Sequence, residues 1–352
     1  MPKPEFHPGQ QIEDYIVGHR LDRGGMGELY LARDLVLRRK VIIKALFPPF
    51  SQKQEYRNQF LREAKIQANL DNPHVVQVFR AFIYQGVPCL VMQHVQGTDL
   101  EKIVKKAKAV REKRQEKGAL SVERGIHIFL QVLEGIGFAH KYNIIHGDIK
   151  PSNILLDPQG RVKIVDFGLS FMLASGKKMR GDSLPGGTLQ FMSPEQLLNE
   201  DVDSRSDIYS LGVTFFFMLT GQWPTGERKR LTDLLEYHVE GSLEDPERTL
   251  EEVGTLRPRI KTAILKALDK DQAKRPQSCL EFSLAIKEDA PHELYSELLR
   301  LSLLATKEIT PAERAYLDRI AKLKGLQPGE AEALERSIRR EMGLVKAPSP
   351  SE

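Results

Sequence analysis

The chain has 352 residues, of which 41% are hydrophobic and 28% are charged. This balance is typical of a globular protein with a sizeable core, and the length is typical of about two to three domains. Lysine and arginine (52) nearly balance aspartate and glutamate (48), so the charge does not indicate a nucleic-acid-binding protein.

The cysteines and the apolar segments indicate the compartment. Cys89 and Cys279 have neither metal-ligand nor disulfide-framework spacing, which favours a reducing environment. The first residues lack the apolar core of a signal peptide. The longest apolar run, Ile208 to Leu219, is too short to span a bilayer and predicts a buried helix. We therefore expect a cytoplasmic protein without a membrane span.

The N-terminal part begins with residues 1–14, whose three prolines predict a mobile tail. From Tyr15 onward the pattern predicts strands, read as Y-I-V-G-H-R-L and later as V-I-I-K-A-L. The glycine-rich stretch D-R-G-G-M-G-E-L lies between them. Such glycines let backbone N–H groups approach a polyphosphate, but they also suit a simple hairpin turn. The glycines alone leave both interpretations open.

The middle of the chain alternates helical and extended patterns. Helical spacing over residues 54–70 is followed by strands over 75–82 and 88–95. The run from Glu101 to Lys117 carries eight basic and three acidic residues, which is typical of a solvated helical face and only secondarily of a docking site. Ser121 then caps an amphipathic helix.

The most informative stretch runs from His146 to Asp166. It reads H-G-D-I-K-P-S-N-I-L-L-D-P-Q-G-R-V-K-I-V-D. Two apolar segments, Ile154 to Leu156 and Val162 to Val165, predict strands joined by a turn. The strands would hold four polar groups close together: Asp148, Lys150, Asn153 and Asp166. Two carboxylates, an amide oxygen and a cation suit Mg²⁺ together with phosphate, so phosphoryl transfer is the first hypothesis.

This stretch, with Phe167 and Gly168 after it, resembles the H-R-D-x-K-P-x-N and D-F-G loops of the Hanks-type (eukaryotic-like) protein kinases of the bacterial type. Residue types and spacing agree over more than twenty positions. The resemblance implies an α+β, two-lobed fold with a small β-rich N-lobe and a larger helical C-lobe. The expected divisions are a tail at 1–14, an N-lobe at 15–95, a C-lobe at 96–290, a helical extension at 291–346 and a disordered tail at 347–352.

The resemblance also implies roles for individual residues. Asp148 would be the catalytic base, Lys150 would stabilise the transferring phosphoryl group, and Asn153 with Asp166 would hold Mg²⁺ (or Mn²⁺). Lys44 would hold the ATP phosphates and pair with Glu63, and Met92 would be the gatekeeper. The expected ATP-binding residues are Leu21, Gly24, Gly25, Gly27, Leu29, Ile42, Lys44, Glu63, Met92, Gln93, Val95 and Leu155.

Residues 169–187 are similar to an activation loop, and G-T-L-Q-F-M-S-P-E is similar to the motif that closes it. Ser183 in this loop and Thr188 in the closing motif are the candidate residues, and Phe191 to Glu195 would support the substrate backbone. Lys150 and the closing motif match the serine/threonine branch, which implies protein substrates. Three residues have implied structural roles: His146 in the catalytic loop, Asp207 as its tether, and Arg275 as the buried partner of Glu195.

Four positions depart from the family pattern. Asp22 replaces the first loop glycine, Ile42 replaces an alanine above the adenine, and Gln67 replaces an apolar residue of the internal spine. Gly147 replaces the arginine that binds a phosphorylated activation loop, so we expect activity to depend weakly on loop phosphorylation. Asp22 and Ile42 keep open the alternative of a pseudokinase that binds nucleotide as a scaffold. A small-molecule kinase is a third and less favoured alternative.

The C-terminal residues lie beyond the resemblance. They predict a helix over 293–304 and two amphipathic helices, the first opened by the capping box Thr310-Pro311-Ala312-Glu313 and ended at Gly325. The loop between the two helices lacks the acidic pattern of a calcium site. We expect these helices either to pack on the large lobe or to bind a protein partner.

Overall fold

The computed structural model describes residues 6–23, 27–46, 58, 60–61, 64–65, 67–167, 189–198, 200–226, 228, 231–242, 244–253, 256–287, 291–323, 325–342 and 344. The chain forms two compact units, residues 1–286 and 287–352. The first unit contains a six-stranded sheet followed by a mainly helical region, as the two-lobed α+β prediction requires.

The six-stranded sheet is antiparallel, with the strand order β1-β2-β3-β4-β6-β5. Its strands are β1 (Gln11–Ile12), β2 (Tyr15–Arg23), β3 (Gly27–Asp34), β4 (Lys40–Leu46), β5 (Val78–Tyr84) and β6 (Val87–Gln93). Strand neighbours in the chain are mostly neighbours in the sheet, so short turns connect most of it.

The alternation along β4 assigns the two faces of this sheet. Val41 and Ile43 are fully buried in one apolar core. Ile42 lies on the other face, where it packs with Met92 and with Ala64 from the helical residues between 58 and 68. Because side chains alternate along a strand, Lys44 shares the face of Ile42. The sheet thus presents a cation and an apolar patch on the same face.

The segment expected to be a mobile tail contains structure in its described part. Phe6 is buried, and its ring lies 5.4 Å from that of Tyr30 and 6.1 Å from that of Tyr84. Gln11 and Ile12 form β1, and Ile12 is fully buried. Residues 6–12 therefore complete the core of the sheet instead of forming a free tail. Their apolar residues are too few to have shown a strand pattern.

The helical region of the first unit is built around one central helix. Its helices are α1 (Leu100–Lys113), α2 (Val122–Lys141), α3 (Pro194–Leu198), α4 (Ser204–Thr220), α5 (Leu231–Glu240), α6 (Glu244–Glu251), α7 (Pro258–Ala267) and α8 (Cys279–Ile286). Every residue of α4 from Ser206 to Thr220 is buried, which confirms the buried helix predicted from the apolar run. α2 is capped by Ser121, whose Oγ accepts a hydrogen bond from the Arg124 N–H at 3.3 Å.

A second, three-stranded sheet carries the catalytic stretch. Its strands are β7 (Thr98–Asp99), β8 (Ile154–Leu156) and β9 (Val162–Ile164), in that order and antiparallel. The β8 and β9 strands are those predicted, with β9 one residue shorter. Ile164 also exchanges backbone hydrogen bonds with His74 and Val76, at 2.8 and 2.9 Å, so the strand before Asp166 is held by residues that precede β5.

The described part of the second unit contains three helices, α9 (Pro291–Thr306), α10 (Pro311–Leu323) and α11 (Pro328–Glu341). They share an apolar core that includes Leu299, Leu317 and Ile338. The predicted capping box is present, because Thr310 and Glu313 exchange side-chain-to-backbone hydrogen bonds of 3.3 and 2.8 Å. No helix among the described residues is long and apolar enough to cross a membrane.

Candidate active site

The catalytic loop is tethered to the central helix by one buried carboxylate. Asp207, in the first turn of α4, accepts hydrogen bonds from the backbone N–H groups of His146 and Gly147, at 2.8 and 2.9 Å. The His146 ring, fully buried, also contacts the Val165 carbonyl at 3.1 Å. The loop before Asp148 is therefore held from both sides, as its resemblance to the kinase loop implied for Asp207.

Asp148 has one carboxylate oxygen in use and one without a partner. Its Oδ2 accepts hydrogen bonds from Lys150 Nζ at 2.7 Å and from Asn153 Nδ2 at 3.1 Å. Its Oδ1 is buried and has no hydrogen-bond partner among the described residues. A buried acceptor without a donor is costly in a folded protein. This oxygen is therefore suited to a donor supplied by a bound molecule.

Asp166 lies 2.7 Å from the ammonium of Lys44. Burial alone would raise the pKa of the Asp166 carboxyl, but the charge and hydrogen bond of Lys44 outweigh it and hold the pKa below its usual value. Asp166 also has a left-handed backbone, with φ of 62°. This conformation is uncommon for residues other than glycine, although Asn, Asp and His adopt it more often than the others. The carboxylate is thus ionised and held beside the cation expected to bind phosphate.

Both predicted metal ligands, Asn153 and Asp166, fit a divalent cation. The Asn153 amide donates to the Asp148 carbonyl at 2.8 Å, so its nitrogen is engaged and its oxygen is left as an acceptor. Asp166 supplies an ionised carboxylate. No cluster of three or more His, Cys, Asp or Glu side chains suited to a metal occurs in the described part of the chain. Two oxygens suit Mg²⁺, which keeps several water or phosphate ligands.

Most of the expected adenine-binding residues lie on β2, β3, β4, β6 and β8. Ile42 lies opposite Met92, and Leu29 lies opposite Lys44, in the strand pairing. Leu21 is about half exposed, and Leu155 is partly buried. The backbone N–H of Gln93 donates to the Gln77 carbonyl at 2.9 Å. Of the two backbone groups of Gln93, the carbonyl is therefore the one left for a ligand. Val95 follows in a partly buried stretch without strand or helix.

Gly27 is required by the strands themselves. It begins β3, and a Cβ at this position would collide with the carbonyl oxygen of Ala45 on β4. This close approach is a structural reason for glycine that does not depend on phosphate. The predicted residues Gly24, Gly25, Glu63, Ser183 and Thr188 lie outside the described residues, and so does the predicted pair of Lys44 with Glu63.

The segment that closes the activation loop is anchored by a buried ion pair. The guanidinium of Arg275 contacts both carboxylate oxygens of Glu195, at 2.8 and 3.0 Å, and both side chains are almost completely buried. The same guanidinium donates to the carbonyls of Arg205, Asp269 and Lys270. The ion pair expected from the resemblance is therefore present and fully hydrogen-bonded.

Gln67 departs from the family pattern, and the sequence predicts no contact for it. Its Nε2 donates a hydrogen bond to the carbonyl of Phe167, the residue directly after Asp166. This polar side chain thus binds the backbone directly after Asp166, the predicted metal ligand. The 100-residue separation of the two positions left no local signal for this contact.

Asp207 is also paired with His140, at 2.8 Å. Burial would raise the pKa of Asp207, but the hydrogen bond and charge of His140 hold the pKa below its usual value. Burial likewise disfavours the charged His140, but its bonds to Asp207 and to Cys279 raise its pKa to about 10. The pair is therefore ionised around neutral pH.

This pair predicts how stability varies with pH. The contribution of His140 is complete below its unfolded pKa of about 6.5 and is lost as the pH rises through about 10. The contribution of Asp207 is complete above its unfolded pKa of about 3.9 and is lost as the pH falls through its lowered folded pKa. We expect the free energy of unfolding in urea to decline between pH 6.5 and pH 10, and to decline less in His140→Gln.

The matched control is His127→Gln, because His127 lies exposed on the same helix. The free energy of unfolding of His127→Gln should vary with pH as that of the wild type does. An identical slope between pH 6.5 and pH 10 for wild type and His140→Gln would contradict the assigned ion pair.

With this geometry established, comparisons with known proteins identify the family. The family model described as "Protein kinase domain" matches residues 15–284. The serine/threonine-protein kinase PknB of Mycolicibacterium smegmatis is 34% identical over 320 residues, covering 87% of this chain and 48% of PknB. The serine/threonine-protein kinase PrkC of Bacillus subtilis is 29% identical over 324 residues, covering 92% of this chain and 48% of PrkC.

The chain thus spans about half the length of the curated relatives it matches. Among solved structures, the PknI kinase domain of Mycobacterium tuberculosis matches with a TM-score of 0.58 and 24% identity, covering 80% of this chain and 98% of that domain. This likeness supports the two-lobed fold alone. The family model covers most of the chain and includes all the motifs from the glycine-rich stretch to Arg275. The chain therefore belongs to the protein kinase family, as the resemblance predicted.

Proposed function

We propose that this chain is a serine/threonine protein kinase that transfers the γ-phosphate of ATP to Ser or Thr hydroxyls of proteins, itself included. The observation that carries the proposal is the buried, unpartnered Oδ1 of Asp148. A hydroxyl proton needs an acceptor in the transition state, and this oxygen is the acceptor that no described residue occupies.

The neighbouring groups would hold the metal ion and the phosphates and offset their negative charge. When bound, Mg²⁺-ATP (or Mn²⁺-ATP) supplies the transferable phosphoryl group, and Asp166 with the Asn153 amide would hold the cation. Lys44, 2.7 Å from Asp166, would hold the phosphates. Lys150, 2.7 Å from Asp148, would offset negative charge on the transferring group. Positioning and charge supply most of the acceleration in such a reaction.

Two observations support a serine or threonine acceptor. Lys150 lies two residues beyond Asp148 and contacts its carboxylate, which is the arrangement of the serine/threonine branch that the sequence resembles. The similar proteins PknB and PrkC are named serine/threonine-protein kinases. A protein acceptor is consistent with the buried Arg275–Glu195 anchor, which stabilises the segment expected to contact a substrate backbone.

The test is transfer of labelled γ-phosphate from Mg²⁺-ATP to the chain itself and to a generic basic protein. Lys44→Met and Asp166→Asn should abolish incorporation, because each removes one member of the phosphate and metal site. Equal incorporation by wild type and both variants would refute the proposal. Thermal stabilisation by nucleotide without any transfer would favour the pseudokinase alternative instead.

We also propose that activity depends weakly on phosphorylation of the activation loop. Gly147 provides no cation beside Asp148 for a loop phosphate to bind, and the backbone N–H of Gly147 is already held by Asp207 at 2.9 Å. Phosphatase-treated protein should therefore retain its initial rate of transfer to an added substrate. Loss of that rate after treatment, with recovery on rephosphorylation, would contradict this prediction.

A further inference from the structure

Gln196, directly after Glu195, lies between the substrate-side segment and the catalytic loop. The residue is 5% exposed. The side-chain oxygen accepts hydrogen bonds from the backbone N–H of Ser193 at 2.9 Å and from the Ser193 hydroxyl at 3.2 Å. The side-chain nitrogen donates to the Gly147 carbonyl at 3.0 Å. One buried amide thus bridges two segments that are 49 residues apart.

The orientation of this amide follows from its partners. A backbone N–H can only donate and a backbone carbonyl can only accept. The Oε1 atom of Gln196 must therefore face Ser193, and the Nε2 atom must face Gly147. Neither a carboxylate nor an apolar side chain can satisfy both partners at once.

The carbonyl that Gln196 binds belongs to the peptide group that joins Gly147 to Asp148. The backbone of Gly147 has φ of 74°, and glycine has few steric limits of its own. Its N–H is held by Asp207 at 2.9 Å, and its carbonyl is held by Gln196. The peptide group before Gly147 is therefore held by helix α4 through Asp207, and the peptide group that leads into Asp148 is held by helix α3 through Gln196.

The other end of the bridge is also fixed. Ser210 on α4 donates to the Phe191 carbonyl at 2.6 Å, and Glu195 is held by Arg275. The segment from 189 to 196 is thus held at two points, and Gln196 links it to the catalytic loop. No charged side chain takes part in the bridge itself.

We propose that Gln196 is a positioning residue for phosphoryl transfer, which aligns Asp148 by holding the Gly147 peptide against the substrate-side segment. This inference rests on the proposed kinase activity. The bridge provides a coupling between these two segments that is uncharged and needs no phosphate. Gln196 acts through Gly147 and does not touch the reacting atoms.

The decisive variant is Gln196→Glu, which has nearly the same shape. When ionised, the new carboxylate still accepts from Ser193 but cannot donate to Gly147. When protonated, its hydroxyl can donate again. Because burial raises the pKa of a carboxyl group, the change between the two forms falls in an accessible pH range. We expect kcat for a protein substrate to be about 10-fold lower than wild type at pH 8, the size of one lost hydrogen bond to a buried carbonyl.

The ratio of the Gln196→Glu rate to the wild-type rate should then rise as the pH falls, while the KM for ATP stays unchanged. The matched control is Gln131→Glu, because Gln131 also bridges two backbone groups, Val162 N–H at 3.0 Å and the Gly160 carbonyl at 3.4 Å. That bridge lies at the turn between β8 and β9, so its rate ratio should not vary with pH.

Two results would overturn the proposal. One is a wild-type kcat for Gln196→Glu at every pH, and the other is a loss that is independent of pH and equal to that of Gln131→Glu. ATP titration of each variant measures the folded, binding-competent fraction, and rates are expressed per competent molecule. Gln196→Met, which removes both hydrogen bonds, should show the same loss without recovery at low pH. An inactive wild-type protein would instead refute the proposed function itself.

Discussion

The Asp148→Asn variant is expected to lose about 100- to 10,000-fold of the wild-type kcat, the range for loss of a general base. Lys150 and Asn153 both donate to Oδ2 of Asp148, so the amide oxygen of the new asparagine should face them. Its nitrogen then occupies the position of the unpartnered Oδ1. A donor then replaces the acceptor that the proposed mechanism assigns to the hydroxyl proton. Steady-state transfer to a protein substrate measures the loss.

Nucleotide affinity separates this effect from a general disruption of the site. Because the Lys44–Asp166 pair is untouched, ATP should bind Asp148→Asn as tightly as it binds the wild type. Asp157→Asn is the control, since the Asp157 carboxylate lies at the nearby turn. It accepts hydrogen bonds from the backbone N–H groups of Gln159 and Arg161 and from the Arg161 side chain. Its kcat should stay close to wild type. Undiminished transfer by Asp148→Asn would show that Asp148 is not the catalytic base.

The largest expected effect on stability is that of Arg275→Met, about 3 to 5 kcal/mol of unfolding free energy. The substitution leaves the carboxylate of Glu195 buried without its bidentate partner. Burial would raise the pKa of Glu195, but the hydrogen bonds and charge of Arg275 hold it below its usual value. Without Arg275 the carboxylate must ionise unpaired or take up a proton. Urea unfolding at pH 7 measures the cost.

The double variant Arg275→Met with Glu195→Leu should recover much of this loss, because it removes both charges together. Arg248→Met is the control, since the Arg248–Asp245 pair is largely exposed and should matter by less than about 1 kcal/mol. A cost for Arg275→Met no larger than that for Arg248→Met would contradict the structural role of the buried pair.

Local signals in the sequence were sufficient for the elements around the site. The apolar segments at 154–156 and 162–165 predicted β8 and β9, and the run from Ile208 predicted the buried helix α4. The capping box at Thr310 predicted the start of α10. In each case the signal lies within one element, where hydrophobic spacing or a cap is decided by residues a few positions apart.

Long-range contacts between polar side chains were beyond such signals. The sequence placed Gln67 in an unusual position but could not show its bond to Phe167, 100 residues away. It gave no reason to select Gln196, whose partners lie three and 49 residues away. The burial of Phe6 depends on the rings of Tyr30 and Tyr84. These contacts depend on how elements meet in space, which spacing along the chain does not encode.

The kinase motifs named the same groups that the structure brings together at Asp148 and Asp166. The resemblance paired Lys44 with Glu63, which lies outside the described residues, so that pair stays a prediction. The structure describes the contact of Lys44 with Asp166, at 2.7 Å.

The chemical identity of the labelled product tests the proposed serine/threonine phosphorylation most directly. Wild-type protein is incubated with labelled Mg²⁺-ATP and a protein substrate, and the product is hydrolysed to its phosphorylated amino acids. We expect phosphoserine or phosphothreonine from the wild type and neither from Asp148→Asn at equal ATP occupancy. Phosphotyrosine as the main product, or the same phosphoserine yield from both proteins, would contradict this expectation.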